Sequence, residues 1–271
     1  MPGCGVSPQT SPFSQGPCLW YARWVPEWLY LERQQPMEEI APGIYSLGQK
    51  DGGHVHAFLL ADGAELTLID TLWDKDGHRI FDALRQINRP VTDLKHIVIT
   101  HGHRSHLGGM AALKDATGAT LYAHEWEADI ISGDRKAQAV TFIPRRPFQV
   151  YPLQIGLALG IGSHTPRTVD NYVSEGDRIG PLHVMHASGH SPGHLAFYWP
   201  ERRTLFAGDA VATWPYFSAG WPAFNLNVKQ HKTSVGRMAE FDAEIVAVGH
   251  GEPITTNGAQ RVRSLLNNTD W

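Results

Sequence analysis

The sequence predicts an α/β fold in which two β-sheets pack face to face with helices outside. Three observations carry this. Apolar runs of strand length are separated by glycine-containing turns, and stretches with helical spacing follow them. The order of strands first and helices after recurs in each half of the chain, with no short-period repeat, which suits a layered sandwich. Of 271 residues, 42% are hydrophobic and 18% charged, enough apolar material for a sizeable core.

Residues 1–38 read as a leader. Its first half is rich in Pro, Gly, Ser and Gln and reads as flexible; its second half carries Trp20, Tyr21, Trp24, Trp28 and Tyr30. That aromatic arm is expected to pack on the body or to mediate homo-oligomer formation. From 39 to 271 a single domain is expected. GIYSLG, HVHAFLL and ELTLID read as strands, with Asp62-Gly63 as a turn. DGHRIFDALRQI places Ile80, Leu84 and Ile87 on one helical face and ends before Asn88-Arg89-Pro90. HIVIT is a buried strand, Leu107 to Ala116 a helix and ATLYAH a strand. Residues 142–170 are Pro-rich, then apolar and Gly-laced, and read as a cap or lid inserted near the site. HVMHAS, HLAFYWP, TLFAGDA and EIVAVG are further strands, with helices around 228–240 and 256–267.

A net charge of -4 leaves no basic excess to neutralise phosphates, so no nucleic-acid partner is expected. No run of about 18 apolar residues occurs, so no spanning helix is expected. The N-terminus lacks a basic start followed by an apolar core, which favours a cytoplasmic location over export. Cys4 and Cys18, the two cysteines, read as free thiols of a reducing compartment.

Histidine is the outlier, at 15 residues, and the histidines cluster. His101-Gly102-His103-Arg104-Ser105-His106 follows a buried strand. On an extended or turning backbone, i and i+2 point the same way, so His101 and His103 can converge on one ion. His106, at the turn into the next helix, can face a second. Gly189-His190-Ser191-Pro192-Gly193-His194 offers His190 at a loop tip, with His194 returning the chain to a strand and supporting the site from behind. Gly208-Asp209 adds a carboxylate able to bridge two ions, and Gly249-His250 another imidazole. Imidazoles and a carboxylate after successive strands describe a transition-metal site.

In order and content these motifs resemble the metallo-β-lactamase superfamily, particularly its glyoxalase II-like and lactonase-like members, over about residues 40–268. The resemblance includes the LID turn ending at Asp70 and the ITHGH entry to the His loop. It implies an αββα four-layer sandwich of two mixed β-sheets flanked by helices. It also implies that His101, His103 and His190 hold metal 1, and that His106 and His250 hold metal 2, with Asp209 bridging. Asp70 would orient the His loop. Zinc, one or two ions, is the expected metal, with iron the alternative.

Ser105 departs from the family pattern, whose HxHxDH motif has an aspartate there. A neutral hydroxyl leaves the second ion's charge less compensated, so site 2 is expected to bind more weakly. His54 and His56 are the nearest substitutes. One ion would suffice for hydrolysis of a small carbonyl substrate, a lactone, ester or thioester, or a β-lactam. Asp209 would hold the attacking water. Trp214, Tyr216 and Trp221, in the aromatic segment 214–227, could wall an apolar pocket. Two other readings stand beside this one. In one, His101, His190 and Asp209 form the two-His, one-carboxylate set of a mononuclear iron sulfur dioxygenase. In the other, the protein binds metal without catalysis.

Overall fold

The structure, a computed structural model, describes residues 36–137, 148, 151–159 and 163–267. The leader arm, both cysteines and most of 142–162 lie outside the described residues. The described residues belong to one compact unit within Gln34–Trp271.

Among the described residues twelve strands form one continuous hydrogen-bonded mixed sheet that folds at β3 and β12 into two facing sheets. The first contains β1 (Glu38–Ala41), β2 (Ile44–Gln49), β3 (Val55–Asp62), β4 (Glu65–Ile69), β5 (Leu94–Val98), β6 (Thr120–Ala123) and β7 (Asn171–Tyr172). β1 to β4 pair antiparallel in sequence, and β4 to β7 pair parallel. The second contains β8 (Arg178–Ile179), β9 (Leu182–His186), β10 (Leu195–Trp199), β11 (Thr204–Ala212) and β12 (Ile245–His250). Here only β11 and β12 are parallel. The two sheets meet at one edge through a single pair, His250 opposite Val55.

The helices are α1 (His78–Gln86), α2 (Met110–Thr117), α3 (Glu125–Ile131), α4 (Tyr151–Ala158), α5 (Val228–Met238) and α6 (Gly258–Leu265). Strand alternation sorts the core into layers, because successive side chains point to opposite faces. Val55, Ala57, Leu59, Leu66, Leu68 and Ile97 face outward onto Ile80 and Leu84 of α1 and Met110 and Leu113 of α2. Phe58, Leu60, Ile69 and Val98 face inward and meet Leu195, Phe197, Trp199 and Phe206 of the other sheet. Leu205, Ala207, Val246 and Val248 face out onto α5 and α6. This is the four-layer αββα arrangement. Phe197 and Phe206, at 0% and 1% exposed, sit at its centre, where each buried ring contributes about 1.5–3 kcal/mol.

Several boundaries differ from the sequence reading. The helix expected from Leu107 begins only at Met110, because Gly108 N–H and Gly109 N–H donate across to Leu72 and Thr71 carbonyls. A Cβ at Gly108 would stand 2.3 Å from the Trp73 carbonyl oxygen, so only glycine allows this approach. Asp209 does not follow its strand but lies within β11, which continues to Ala212 past a register shift at Gly208. The cap segment contributes α4, whose Tyr151 packs against a cluster that includes Trp221 and Phe224. Among the described residues no helix is long and apolar enough to cross a membrane.

Candidate metal centre

The ends of β4, β5 and β12, the interior of β11 and the turn between β9 and β10 deliver the motif residues to one place. The loop after β4 is the foundation. Asp70 and Leu72 both take left-handed φ, 59° and 61°, a conformation costly outside glycine and held only by surrounding contacts. Those contacts are Asp70 N–H to the Val98 carbonyl at 2.9 Å, and the Thr71 N–H and hydroxyl to the His106 carbonyl at 2.9 and 2.7 Å. The turn is thus stitched to the His loop over Arg104–His106.

His101 Nε2, His103 Nδ1, His190 Nε2 and an Asp209 oxygen form one converging group; His106, Asp209 and His250 form a second. His103 Nδ1 lies 2.9 Å from His101 Nε2 and 3.1 Å from His190 Nε2. Asp209 Oδ2 lies 3.5 Å from His101 Nε2 and 3.4 Å from His190 Nε2. Ligands at zinc distances of about 2.0–2.1 Å in a tetrahedron stand about 3.3 Å apart, so this set fits one zinc-sized ion. For the second group, His106 Nε2 is 3.2 Å from Asp209 Oδ1, and His250 Nε2 is 3.2 Å from Oδ2. His106 Nε2 and Asp209 Oδ1 are buried without a hydrogen-bond partner, which a cation between them would satisfy.

The far side of each ring decides which nitrogen is free. Thr100 Oγ1 donates to Asp70 Oδ2 at 2.8 Å and so accepts from His101 Nδ1 at 3.0 Å. His106 Nδ1 donates to Asp70 Oδ2 at 2.9 Å, His190 Nδ1 to Asn225 Oδ1 at 3.3 Å, and His250 Nδ1 to the Gly53 carbonyl at 2.7 Å. In all four the outer nitrogen carries the proton, leaving the inner Nε2 lone pair for a metal, as in metal-bound histidines with an oriented partner. His194 plays a different part. Its Nε2 accepts Asp209 N–H at 3.1 Å and fixes the backbone of the bridging residue.

Electrostatics agree with a site built for cations. Burial pushes His101 and His190 well below the usual imidazole value and His103 down to about 4. Burial would raise Asp209, but His250, His106 and His101 override it and hold the carboxylate well below its ordinary range. Burial would likewise lower His106, yet the carboxylates of Asp209 and Asp70 raise it to about 10, so in the metal-free protein Nε2 holds a second proton, which a cation bound there would displace.

Ser105 is buried at 8% exposed, and its side chain makes no hydrogen bond to a described residue. Neither proposed substitute joins the ligands. His54 stacks on Trp214 with centroids 4.9 Å apart, and His56 turns into the inter-sheet layer, where its Nδ1 meets Ser46 Oγ at 3.0 Å. The strand alternation that sends Val55 toward the helices sends His56 between the sheets.

The aromatic segment forms one wall. Trp221 lies over His250 at 4.1 Å between centroids and donates its indole N–H to the Trp214 carbonyl at 2.8 Å. Phe224 packs on His103 at 5.6 Å and His190 at 6.3 Å. Tyr216 is 42% exposed. Sequence reasoning missed Thr100, Asn225, Gly53, Phe224 and Glu127. Phe224 and Asn225 stood in the segment singled out as a wall and Thr100 in the ITHGH entry; Gly53 and Glu127 carry no motif, because their roles depend on partners distant in sequence.

Comparison with known proteins supplies the wider frame. Residues 51–250 match the metallo-beta-lactamase superfamily. The Bacillus subtilis protein named "Probable metallo-hydrolase YybB" is 24% identical over 204 residues, 75% of this chain and 83% of that one. A hydroxyacylglutathione hydrolase from Rhodobacter capsulatus is 28% identical over 148 residues, 55% of this chain and 46% of its own length. The crystal structure of a metallo-beta-lactamase family protein from Thermus thermophilus superposes with a TM-score of 0.62 at 24% identity, covering 84% of this chain and 80% of that one.

Proposed function

The chain belongs to the metallo-β-lactamase superfamily, and from that premise we propose that it is a metal-dependent hydrolase of a small carbonyl substrate, an ester, thioester or lactone. The observation that carries this reading is the shared tautomer of His101, His106, His190 and His250, each offering Nε2 to the space around Asp209. His101, His103, His190 and Asp209 would hold one ion; His106 and His250, with Asp209 bridging, would hold the other. Zinc is our choice of ion. When bound, it supplies a Lewis acid that brings the pKa of a water to about 7 and polarises the carbonyl oxygen.

The residues do the rest. Asp209, kept ionised, accepts a hydrogen bond from the attacking water and orients it toward the carbonyl carbon. Trp221, Trp214 and Phe224 cover the mouth and take the apolar part of the substrate, excluding bulk water. The similarity to a hydroxyacylglutathione hydrolase supports a thioester among the candidates. A small-molecule substrate and a cytoplasmic setting complete the reading. The test is elemental analysis of purified protein, followed by thioester, ester and lactone assays with and without a chelator. Chelator-sensitive turnover that zinc restores is expected; its absence with all three classes would defeat the proposal.

Ser105 favours a second reading. A mononuclear iron centre on His101, His190 and Asp209, acting as a sulfur dioxygenase, does not call on a carboxylate at position 105. Iron in the purified protein, with oxygen uptake on addition of a persulfide, would select it over hydrolysis.

A further inference from the structure

The imidazoles assigned to the first ion come from two loops on different sheets. His101-Gly102-His103 leaves β5, whereas His190-Ser191-Pro192-Gly193 joins β9 to β10. One backbone bond, Leu195 N–H to the Thr100 carbonyl at 2.9 Å, joins the two loops at their ends, yet their nitrogens must meet within a few tenths of an ångström. One buried side chain hydrogen-bonds the backbone of both loops. Glu127 on α3 is 1% exposed; its Oε2 accepts Gly102 N–H at 2.9 Å. Its Oε1 accepts the Ser191 hydroxyl at 2.5 Å and Gly193 N–H at 3.1 Å.

The two glycines are shaped to this carboxylate. A Cβ at Gly102 would stand 3.0 Å from Oε2 and 2.8 Å from Ile130 Cγ2, and one at Gly193 would stand 2.8 Å from Oε1. Each ligand loop therefore carries a glycine where it passes Glu127. At the third position of a helix, a glutamate often reaches back to its own N-terminus. Here His124 Nδ1 caps α3 by accepting Trp126 N–H at 3.1 Å, and Glu127 points away to the loops.

The choice of carboxylate over amide follows from donor counting. Both backbone partners are obligate donors, and they approach opposite oxygens. Glutamine would present one acceptor and one NH2, setting a donor against a donor at one loop. Among the described residues Glu127 has no ion-pair partner, so its burial is offset chiefly by these three charge-assisted bonds.

We propose that Glu127 is a positioning residue for the metal centre: its carboxylate clamps the His101–His103 loop to the His190 loop and sets the spacing of the first ion's ligands. This rests on the metal-centre reading above. The test compares wild type with Glu127→Gln in the full chain, stripped by chelator and titrated with zinc against a chromophoric competitor. Cobalt(II) spectra and melting of the metal-free protein are recorded alongside.

A loss of about 10- to 100-fold in affinity for the first zinc is expected, the scale found when a ligand's support is removed, with a changed cobalt spectrum. Zinc affinity within about twofold of wild type, with only the metal-free melting temperature lowered, would assign Glu127 to packing and overturn the proposal. Should Glu127→Gln not fold, Ser191→Ala removes one of the three bonds and leaves the glutamate; a smaller loss in the same direction is expected, and none would overturn it. A wild type that takes up no zinc or cobalt would overturn the metal-centre reading itself, a result distinct from equal binding by the two proteins.

Discussion

Asp70 Oδ2 lies 2.9 Å from His106 Nδ1, on the side of the ring opposite the nitrogen that faces Asp209. The same carboxylate accepts Thr100 N–H and the Thr100 hydroxyl, each at 2.8 Å, and that hydroxyl meets His101 Nδ1. Asp70 thus orients one imidazole of each proposed ion. In Asp70→Asn the amide NH2 would face a donor in this set. Affinity for the second ion should fall about 10- to 100-fold, read by chelator competition. Denaturant melts of the metal-free protein should show a loss of about 1–3 kcal/mol from the unsatisfied buried donor.

Ser105→Asp should strengthen the second site. His106, Asp209 and His250 already face it, and a carboxylate at 105 would add an anionic ligand. After extensive dialysis the wild type should retain about one ion per chain and the variant about two, the difference set by the tenfold or more that ligand support contributes. Elemental analysis decides it. Two ions retained by the wild type would mean that the neutral serine does not weaken the site.

The layers and the histidine loops were legible because their signals are local. The apolar run of strand length in HVHAFLL and the helical spacing of Ile80 and Leu84 need only neighbours in sequence to be read, and a strand and a helix stand there. Asp70 and His194 were readable as supports because each sits beside a ligand motif. Glu127 was not. In Ala123-His124-Glu125-Trp126-Glu127 it looks like an acid in a helix's first turn, and its partners Ser191 and Gly193 lie 64 and 66 residues away. The two-residue strands β7 and β8 escaped because so short a run has no periodicity to detect. Gly108 and Gly109 concealed the true start of α2, since their N–H groups serve a neighbouring loop rather than the helix.

Metal-free protein should be most stable near pH 6.5. His106, raised to about 10 in the fold, stabilises fully below its unfolded value of 6.5, and that contribution is lost as pH rises toward 10. His103 and His194, lowered to about 4 and about 3, act in the other direction. Below 6.5 the unfolded chain binds protons that these buried rings do not, so stability falls as pH drops toward 3. Melting temperature measured from pH 5 to 9 after chelation should trace this maximum, and His106→Gln should flatten its alkaline limb.

Trp221 should act on substrate binding more than on the chemical step. Its ring covers His250 while its N–H is held by the Trp214 carbonyl. Trp221→Phe keeps a ring but loses that bond and part of the apolar wall. KM for a substrate with an apolar acyl group should rise about tenfold, equivalent to roughly 1.4 kcal/mol of lost uniform binding, while kcat changes little. A fall in kcat at constant KM would place Trp221 in the reaction rather than in recognition.

Gly249 offers the sharpest steric test of the bridging carboxylate. A Cβ there would stand 2.1 Å from Asp209 Oδ1 and 3.1 Å from His106 Cε1. Its backbone is not left-handed, so alanine adds no conformational strain; the nearest atom it meets is the end of the Asp209 side chain, and the Gly208 carbonyl carbon, at 3.1 Å, asks for a shift of only a few tenths of an ångström. The strand should therefore form as before, and the carboxylate should rotate away. Asp209 is short, and four imidazole nitrogens lie within 3.5 Å of its oxygens, so any rotation breaks the convergence on both ions at once. Gly249→Ala should keep a far-ultraviolet circular dichroism spectrum like that of the wild type. Its zinc affinity should fall at least about 100-fold, the upper end of what lost support of a ligand costs, because here a ligand itself moves. Undiminished zinc binding in a folded Gly249→Ala protein would show that Asp209 does not bridge.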